Sequence, residues 1–105
     1  MRKLVAMLAI ASLIAGVTAA VAFGATKTVR VGDNFFSRKS LTISRGTTVK
    51  WSWQGTENPH NVAGKGFKSA VKASGSYKHT FRKRGKFTII CQIHPTQMRM
   101  TVKVQ

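Results

Sequence analysis

Acidic side chains are nearly missing from this chain. Asp33 and Glu57 are its only 2 carboxylates, set against 18 lysines and arginines in 105 residues, so the formal net charge is +16. In a cytoplasmic protein such a surface would point to nucleic acid. Cysteine is as scarce: Cys91 stands alone. A single cysteine excludes an internal disulfide and leaves a reactive free thiol or a metal ligand. It also argues against structural zinc, which draws four ligands from Cys and His. Beyond the N-terminal segment, no window shows the 3.6-residue amphipathic period of a surface helix, and no repeat or low-complexity tract occurs.

The N-terminus carries a targeting pattern. Arg2 and Lys3 form a short basic region, residues 4–21 are almost wholly apolar, and Ala20-Val21-Ala22 fits a small-residue cleavage site. We expect a signal peptide over residues 1–25, with an uncleaved anchor as the alternative because the apolar run approaches spanning length. No Cys follows that run, which argues against a lipoprotein anchor. Residues 26–105 are then one domain of about 80 residues, small for a self-sufficient core. A ligand that binds only the folded state would stabilise it. Losing Arg2 and Lys3 with the signal would leave +14. For an exported chain, an acidic redox partner, an anionic membrane or a cell-wall polymer is the expected counterpart rather than nucleic acid.

From residue 26 the apolar run gives way to alternation. Val29 and Val31, Leu41 and Ile43, Val49 with Trp51 and Trp53, Tyr77 with His79 and Phe81, Phe87 with Ile89 and Cys91, and Met100 with Val102 and Val104 each keep one parity. Period 2 is the pattern of half-buried strands. Turn residues at Gly32-Asp33-Asn34, Gly55 to Pro59, Gly64-Lys65-Gly66, Ser74-Gly75 and Arg84-Gly85 punctuate them. Short strands at this spacing predict an all-β sandwich or barrel.

The residues with chemistry converge on two stretches. Cys91-Gln92-Ile93-His94-Pro95-Thr96-Gln97-Met98 holds a thiolate, an imidazole and a thioether, and Asn58-Pro59-His60-Asn61-Val62 adds a second imidazole. One Cys, two His and a weak axial Met form the donor set of a blue-copper electron-transfer site. Residues i and i+3 of a strand point to opposite faces, so Cys91 and His94 reach one centre only if the chain leaves the strand between them. Pro95, unable to extend a ladder, fits that loop. His60 must arrive from elsewhere. A Cys–His nucleophile lacks an orienting third residue and a cleft in so small a domain. Met98 is the axial candidate, whereas Met100 has the parity of the last strand and reads as core close to the metal. His79 reads as a packed structural histidine, and Trp51 and Trp53 as core aromatics.

With these residues in place, the chain from about Thr26 to Gln105 resembles the small bacterial cupredoxins of the plastocyanin, amicyanin and pseudoazurin type. The resemblance is carried by Pro59-His60-Asn61-Val62 and by Cys91-x-x-His94-Pro95-x-x-Met98. Leu41-Thr42-Ile43 followed by Gly46-Thr47-Thr48-Val49, and Ser76 to Phe81 followed by Gly85-Lys86-Phe87, agree with it. It implies a Greek-key β-sandwich with one type 1 copper, His60, Cys91 and His94 equatorial and Met98 axial. It also implies that Asn61 ties the two ligand loops together. The three-residue gap between His94 and Met98 differs from the gap common in such relatives and keeps Met100 as the alternative axial ligand.

The expected function is one-electron transfer in an exported compartment, by a monomer that performs no bond chemistry. Electrons would pass at His94, within the neutral patch Pro95-Thr96-Gln97. The basic cluster Arg82, Lys83, Arg84 and Lys86 would lie at the far end and dock an anionic surface. Two alternatives are a copper carrier that delivers the metal and a polyanion-binding module on the same fold. A multicopper oxidase or nitrite reductase would need further imidazoles, and only His79 is left over.

Overall fold

The structure is a computed structural model and describes residues 24–105. The expected signal segment or anchor, residues 1–25, lies outside the described residues but for its last two. Among the described residues, no helix is long and apolar enough to cross a membrane.

Among the described residues, nine strands follow in order: β1 (Thr26–Gly32), β2 (Phe35–Phe36), β3 (Ser40–Ile43), β4 (Thr47–Trp53), β5 (Ala63–Gly64), β6 (Phe67–Lys68), β7 (Gly75–Phe81), β8 (Gly85–Ile90) and β9 (Arg99–Val104). They form two mixed sheets, ordered β2-β1-β4-β7 and β3-β9-β8-β5-β6. β1 runs parallel to β4, and β3 parallel to β9. Parallel neighbours need a crossover, so the chain passes back and forth between the sheets. The result is the Greek-key β-sandwich.

The alternation in sequence becomes the two inner faces. Along β4, Thr47, Val49, Trp51 and Trp53 are buried and the residues between them only partly so. Along β9, Met100, Val102 and Val104 are buried. These side chains meet Val29 and Val31 of β1, Leu41 and Ile43 of β3, Phe81 of β7 and Ile89 of β8 in one continuous core. Trp51 is fully buried at its centre. Removing about 200 Å² of aromatic surface from water contributes on the order of 5 kcal/mol at ~25 cal/mol per Å². Its indole Nε1 has no hydrogen-bond partner within the protein, which costs about 1–3 kcal/mol. Burial wins, so Trp51 is a packing residue.

The sequence pattern finds six of these strands. It passes over β2, β5 and β6, each two residues long and too short to show a period. β1 and β2 form a tight hairpin, with Gly32 opposite Phe35 and only Asp33-Asn34 between. The Phe35 ring lies over Gly32, where a Cβ would force that ring to move aside. Asn34 takes φ 71°, a left-handed conformation that asparagine tolerates. That hairpin projects Asp33 towards the loop that follows β4.

Candidate metal centre

β8 delivers Cys91 at one end of the sandwich. Its last rung pairs Ile90 with Arg99 of β9, after which the chain leaves the ladder. The loop from Cys91 to Met98 closes on itself: His94 N–H donates to the Cys91 carbonyl at 3.2 Å, Met98 N–H to the His94 carbonyl at 2.9 Å, and Cys91 N–H to the Met98 carbonyl at 3.0 Å. The loop thus turns His94 back towards Cys91, as the spacing requires.

His60 comes from the connection between β4 and β5. Its backbone makes a two-way bridge with Lys72, each N–H donating to the other's carbonyl at 3.0 Å. Trp53, the last residue of β4, donates its indole N–H to the His60 carbonyl at 3.2 Å. The side chain of His60 is then fully buried, as are those of Cys91 and Met98, while His94 is half-buried.

The three donors face one point. Cys91 Sγ lies 4.0 Å from His60 Nδ1 and 3.9 Å from His94 Nδ1, and all three ligand atoms fall within 4.8 Å of one another. A metal at about 2.0 Å from nitrogen and 2.3 Å from sulfur sets such pairs roughly 3.7 Å apart in a trigonal arrangement. The two sulfur–nitrogen distances are a few tenths of an ångström longer. One thiolate and two imidazoles in a buried trigonal set suit copper in both oxidation states, so the residues present fit the group.

Met98 and Met100 are both buried in the same core cluster as Cys91. They differ in backbone. Met100 is a rung of β9 opposite Ile89, whereas Met98 sits inside the loop, hydrogen-bonded to both Cys91 and His94.

The two ligand segments are locked to each other. Asn61 Nδ2 donates to Gln92 Oε1 and Gln92 N–H donates to Asn61 Oδ1, both at 2.8 Å. The role expected of Asn61 is therefore present, and Gln92 is the partner that sequence reading missed.

Asp33 was also missed. Its Oδ1 lies 3.0 Å from His60 Nε2. Its carboxylate also accepts from Glu57 N–H at 2.9 Å and Asn58 N–H at 3.0 Å. These backbone donors and the His60 contact hold the Asp33 carboxyl down at about 2. The available signal was scarcity: one of two acids in a chain of +16 sits in a hairpin turn, where a carboxylate has a specific job or none.

The third imidazole stays apart. His79 stacks on Phe67 with ring centroids 3.9 Å apart and meets Phe81 edge-on. Burial against these rings lowers its pKa from the ordinary 6.5. It is a packed structural residue, as its parity indicated.

The basic cluster lies far from this centre. β8, six residues long, separates Gly85 from Cys91 by roughly 20 Å at about 3.3 Å per residue. There Lys83, Arg84 and Lys86 line a cleft of ≈ 650 Å³ together with Lys65, Phe87 and Thr88. Arg82 is exposed beside it but is not part of its lining. Lys65 takes that place, brought in by the β5–β6 hairpin.

Comparison with known proteins finds a copper-binding family. The family described as copper binding proteins, plastocyanin/azurin family, matches residues 24–105. No curated protein matches the chain. Among solved structures, the Cu(I) form of a point mutant of amicyanin superposes with a TM-score of 0.66 at 30% identity, covering 83% of this chain and 88% of that one. A purple cupredoxin from Nitrosopumilus maritimus superposes with a TM-score of 0.65 at 24% identity, covering 75% of this chain and 99% of that one, a likeness of fold. A copper-containing nitrite reductase from Thermus scotoductus matches with a TM-score of 0.63 at 27% identity, over 76% of this chain but only 22% of its own.

Proposed function

The chain belongs to the plastocyanin/azurin family of copper-binding proteins, and from that premise we propose that it is a mobile carrier of single electrons between redox partners outside the cytoplasm. It is a copper-binding electron-transfer protein, and its cofactor is one type 1 copper. The observation that carries the proposal is the convergence of His60 Nδ1, Cys91 Sγ and His94 Nδ1. These three would hold the metal, with Met98 as the weak axial ligand because its backbone is built into the ligand loop.

When bound, copper supplies the one-electron Cu(II)/Cu(I) couple. The protein's own contribution is rigidity and exclusion of water. His60 and Cys91 are fully buried, and the reciprocal Asn61–Gln92 pair holds their segments at a set distance. Ligands fixed in this way move little when the charge of the centre changes. That favours a tightly held redox centre over a site that hands its metal on. His94 is the exit. It is the half-buried ligand, beside exposed Ile93, Pro95, Thr96 and Gln97, and the patch expected to be neutral carries a cation at its edge, because the Arg99 guanidinium donates to the Pro95 carbonyl at 3.1 Å.

We read the chain as a carrier and not a reductase, because its remaining imidazole, His79, is committed to stacking on Phe67. Export rests on the basic-apolar-small pattern of residues 1–25. The finer partner reading is an anionic membrane or wall surface at the cleft lined by Lys65, Lys83, Arg84 and Lys86, with the copper end left free for an acidic redox partner.

The test is the visible and EPR spectrum after addition of one equivalent of Cu(II), with Cys91→Ser as control. We expect an intense thiolate charge-transfer band and narrow copper hyperfine splitting, both lost in the control. The same spectra on Met98→Leu and Met100→Leu assign the axial ligand: the first should change them and the second should not. A colourless or ordinary tetragonal copper spectrum in the wild type would overturn the assignment.

A further inference from the structure

We propose that Asp33 is a positioning residue that tunes the metal centre through His60, acting as an anionic partner for the ring nitrogen that faces away from the ligand triangle. The inference rests on the copper-site reading above.

The geometry comes from two elements far apart in sequence. Asp33 stands in the two-residue turn between β1 and β2, and His60 in the connection after β4. The carboxylate Oδ1 and the ring Nε2 are 3.0 Å apart. An ionised carboxylate accepts hydrogen bonds and donates none. Nε2 must therefore carry a proton, and in the neutral ring Nδ1 then presents the lone pair. Nδ1 is also the atom that faces Cys91 Sγ at 4.0 Å. Asp33 thus selects the tautomer that can bind a metal, and does so before any metal arrives.

The carboxylate is itself fixed. It accepts from Glu57 N–H and Asn58 N–H, the backbone of the loop that carries His60. One acid therefore aligns both the loop and the ring. The His60 side chain is fully buried, while that of Asp33 keeps 36% of its surface open, so the anion stays partly solvated as it reaches the ring. With 18 lysines and arginines in the chain, a carboxylate at this point brings negative charge where the overall field has little.

A carboxylate hydrogen-bonded to the outer nitrogen makes a ligating imidazole more basic. More electron density on Nδ1 favours the more highly charged metal state, so Asp33 should strengthen Cu(II) binding more than Cu(I) binding and lower the reduction potential. Removing such a partner typically weakens metal binding about 10–100-fold. If that loss falls on Cu(II) alone, the potential rises by about 59 mV for each tenfold.

Asp33→Asn is the informative variant, since its Oδ1 can still accept from His60 without the charge. Competition titrations of Cu(II) and Cu(I) and the midpoint potential should be measured on the full domain. We expect a blue protein with weakened Cu(II) affinity and a raised potential, and Asp33→Ala should go further. A lower melting temperature with an unchanged potential would overturn the proposal and leave Asp33 as a brace for the 57–58 loop. Ring-nitrogen NMR of His60 in the metal-free wild type needs no variant to fold. The Nε2–H tautomer is expected, and the opposite tautomer would sink the idea. Absence of a blue band in the wild type would instead strike the copper assignment, so the two failures are distinct.

Discussion

The two ends of the sandwich are built on opposite plans. At the copper end the side chains are paired: Asn61 with Gln92, Trp53 with the His60 carbonyl, Asp33 with the His60 ring. Both acidic side chains are there, Asp33 beside His60 and Glu57 donating its N–H to Asp33. At the other end Lys65, Lys83, Arg84 and Lys86 surround one cleft with no acidic side chain among them. The histidines divide the same way. His60 and His94 face the Cys91 sulfur, whereas His79, near the far end of β7, faces aromatic rings. A redox centre needs fixed distances, which a closed hydrogen-bond network in a dry site provides. A surface that meets a polyanion needs only charge at the right place, and unpaired cations in water suffice.

The contrast predicts that the ends can be altered separately. The largest effect should come from Lys65, Lys83, Arg84 and Lys86 changed together to Gln. At about 1 kcal/mol per cation near an anionic surface, binding to phosphatidylserine vesicles should fall by two orders of magnitude or more, with the blue band intact. Equal retention by variant and wild type would remove the cleft from the docking model. A lost blue band would show that the two ends are coupled.

Next in size is the lock. Asn61→Ala breaks two hydrogen bonds and strands Gln92, which should cost about 1–3 kcal/mol in chemical unfolding. It should also broaden the copper hyperfine lines as the two loops move independently. Retention on vesicles should not change.

The smallest effect concerns pH at His79. Its folded pKa lies below the ordinary 6.5 because burial disfavours the charged ring. Below pH 6.5 the unfolded chain takes up a proton that the folded chain refuses, so the unfolded state gains. This contribution is complete above 6.5 and is lost as pH falls through the folded pKa. In urea melts between pH 8 and 5, His79→Phe should show a shallower loss of stability than wild type. Parallel curves would mean that the stack against Phe67 does not hold the ring neutral.

Much of this was legible in the chain. Strands that alternate over four or more residues declare themselves, because side chains on a half-buried strand must alternate. β1, β3, β4, β7, β8 and β9 were all readable in that way. The candidate donors were readable too, because few metals want one thiolate, two imidazoles and a thioether, and the structure brings three of them, His60, Cys91 and His94, together. The sequence also required a loop between Cys91 and His94, since a strand would have set them on opposite faces.

What tertiary structure alone decided are the contacts between segments that carry no periodic or motif signal. Nothing near Asp33 in sequence announces His60, which lies 27 residues away. Nothing near Gln92 announces Asn61, and nothing near Lys65 announces the cleft of Lys83, Arg84 and Lys86. Local sequence dictates backbone period and donor chemistry, because both are properties of neighbouring residues. Which side chain completes a ligand's second hydrogen bond depends on how two sheets pack and where their turns come together, and that is settled only when the whole chain has folded.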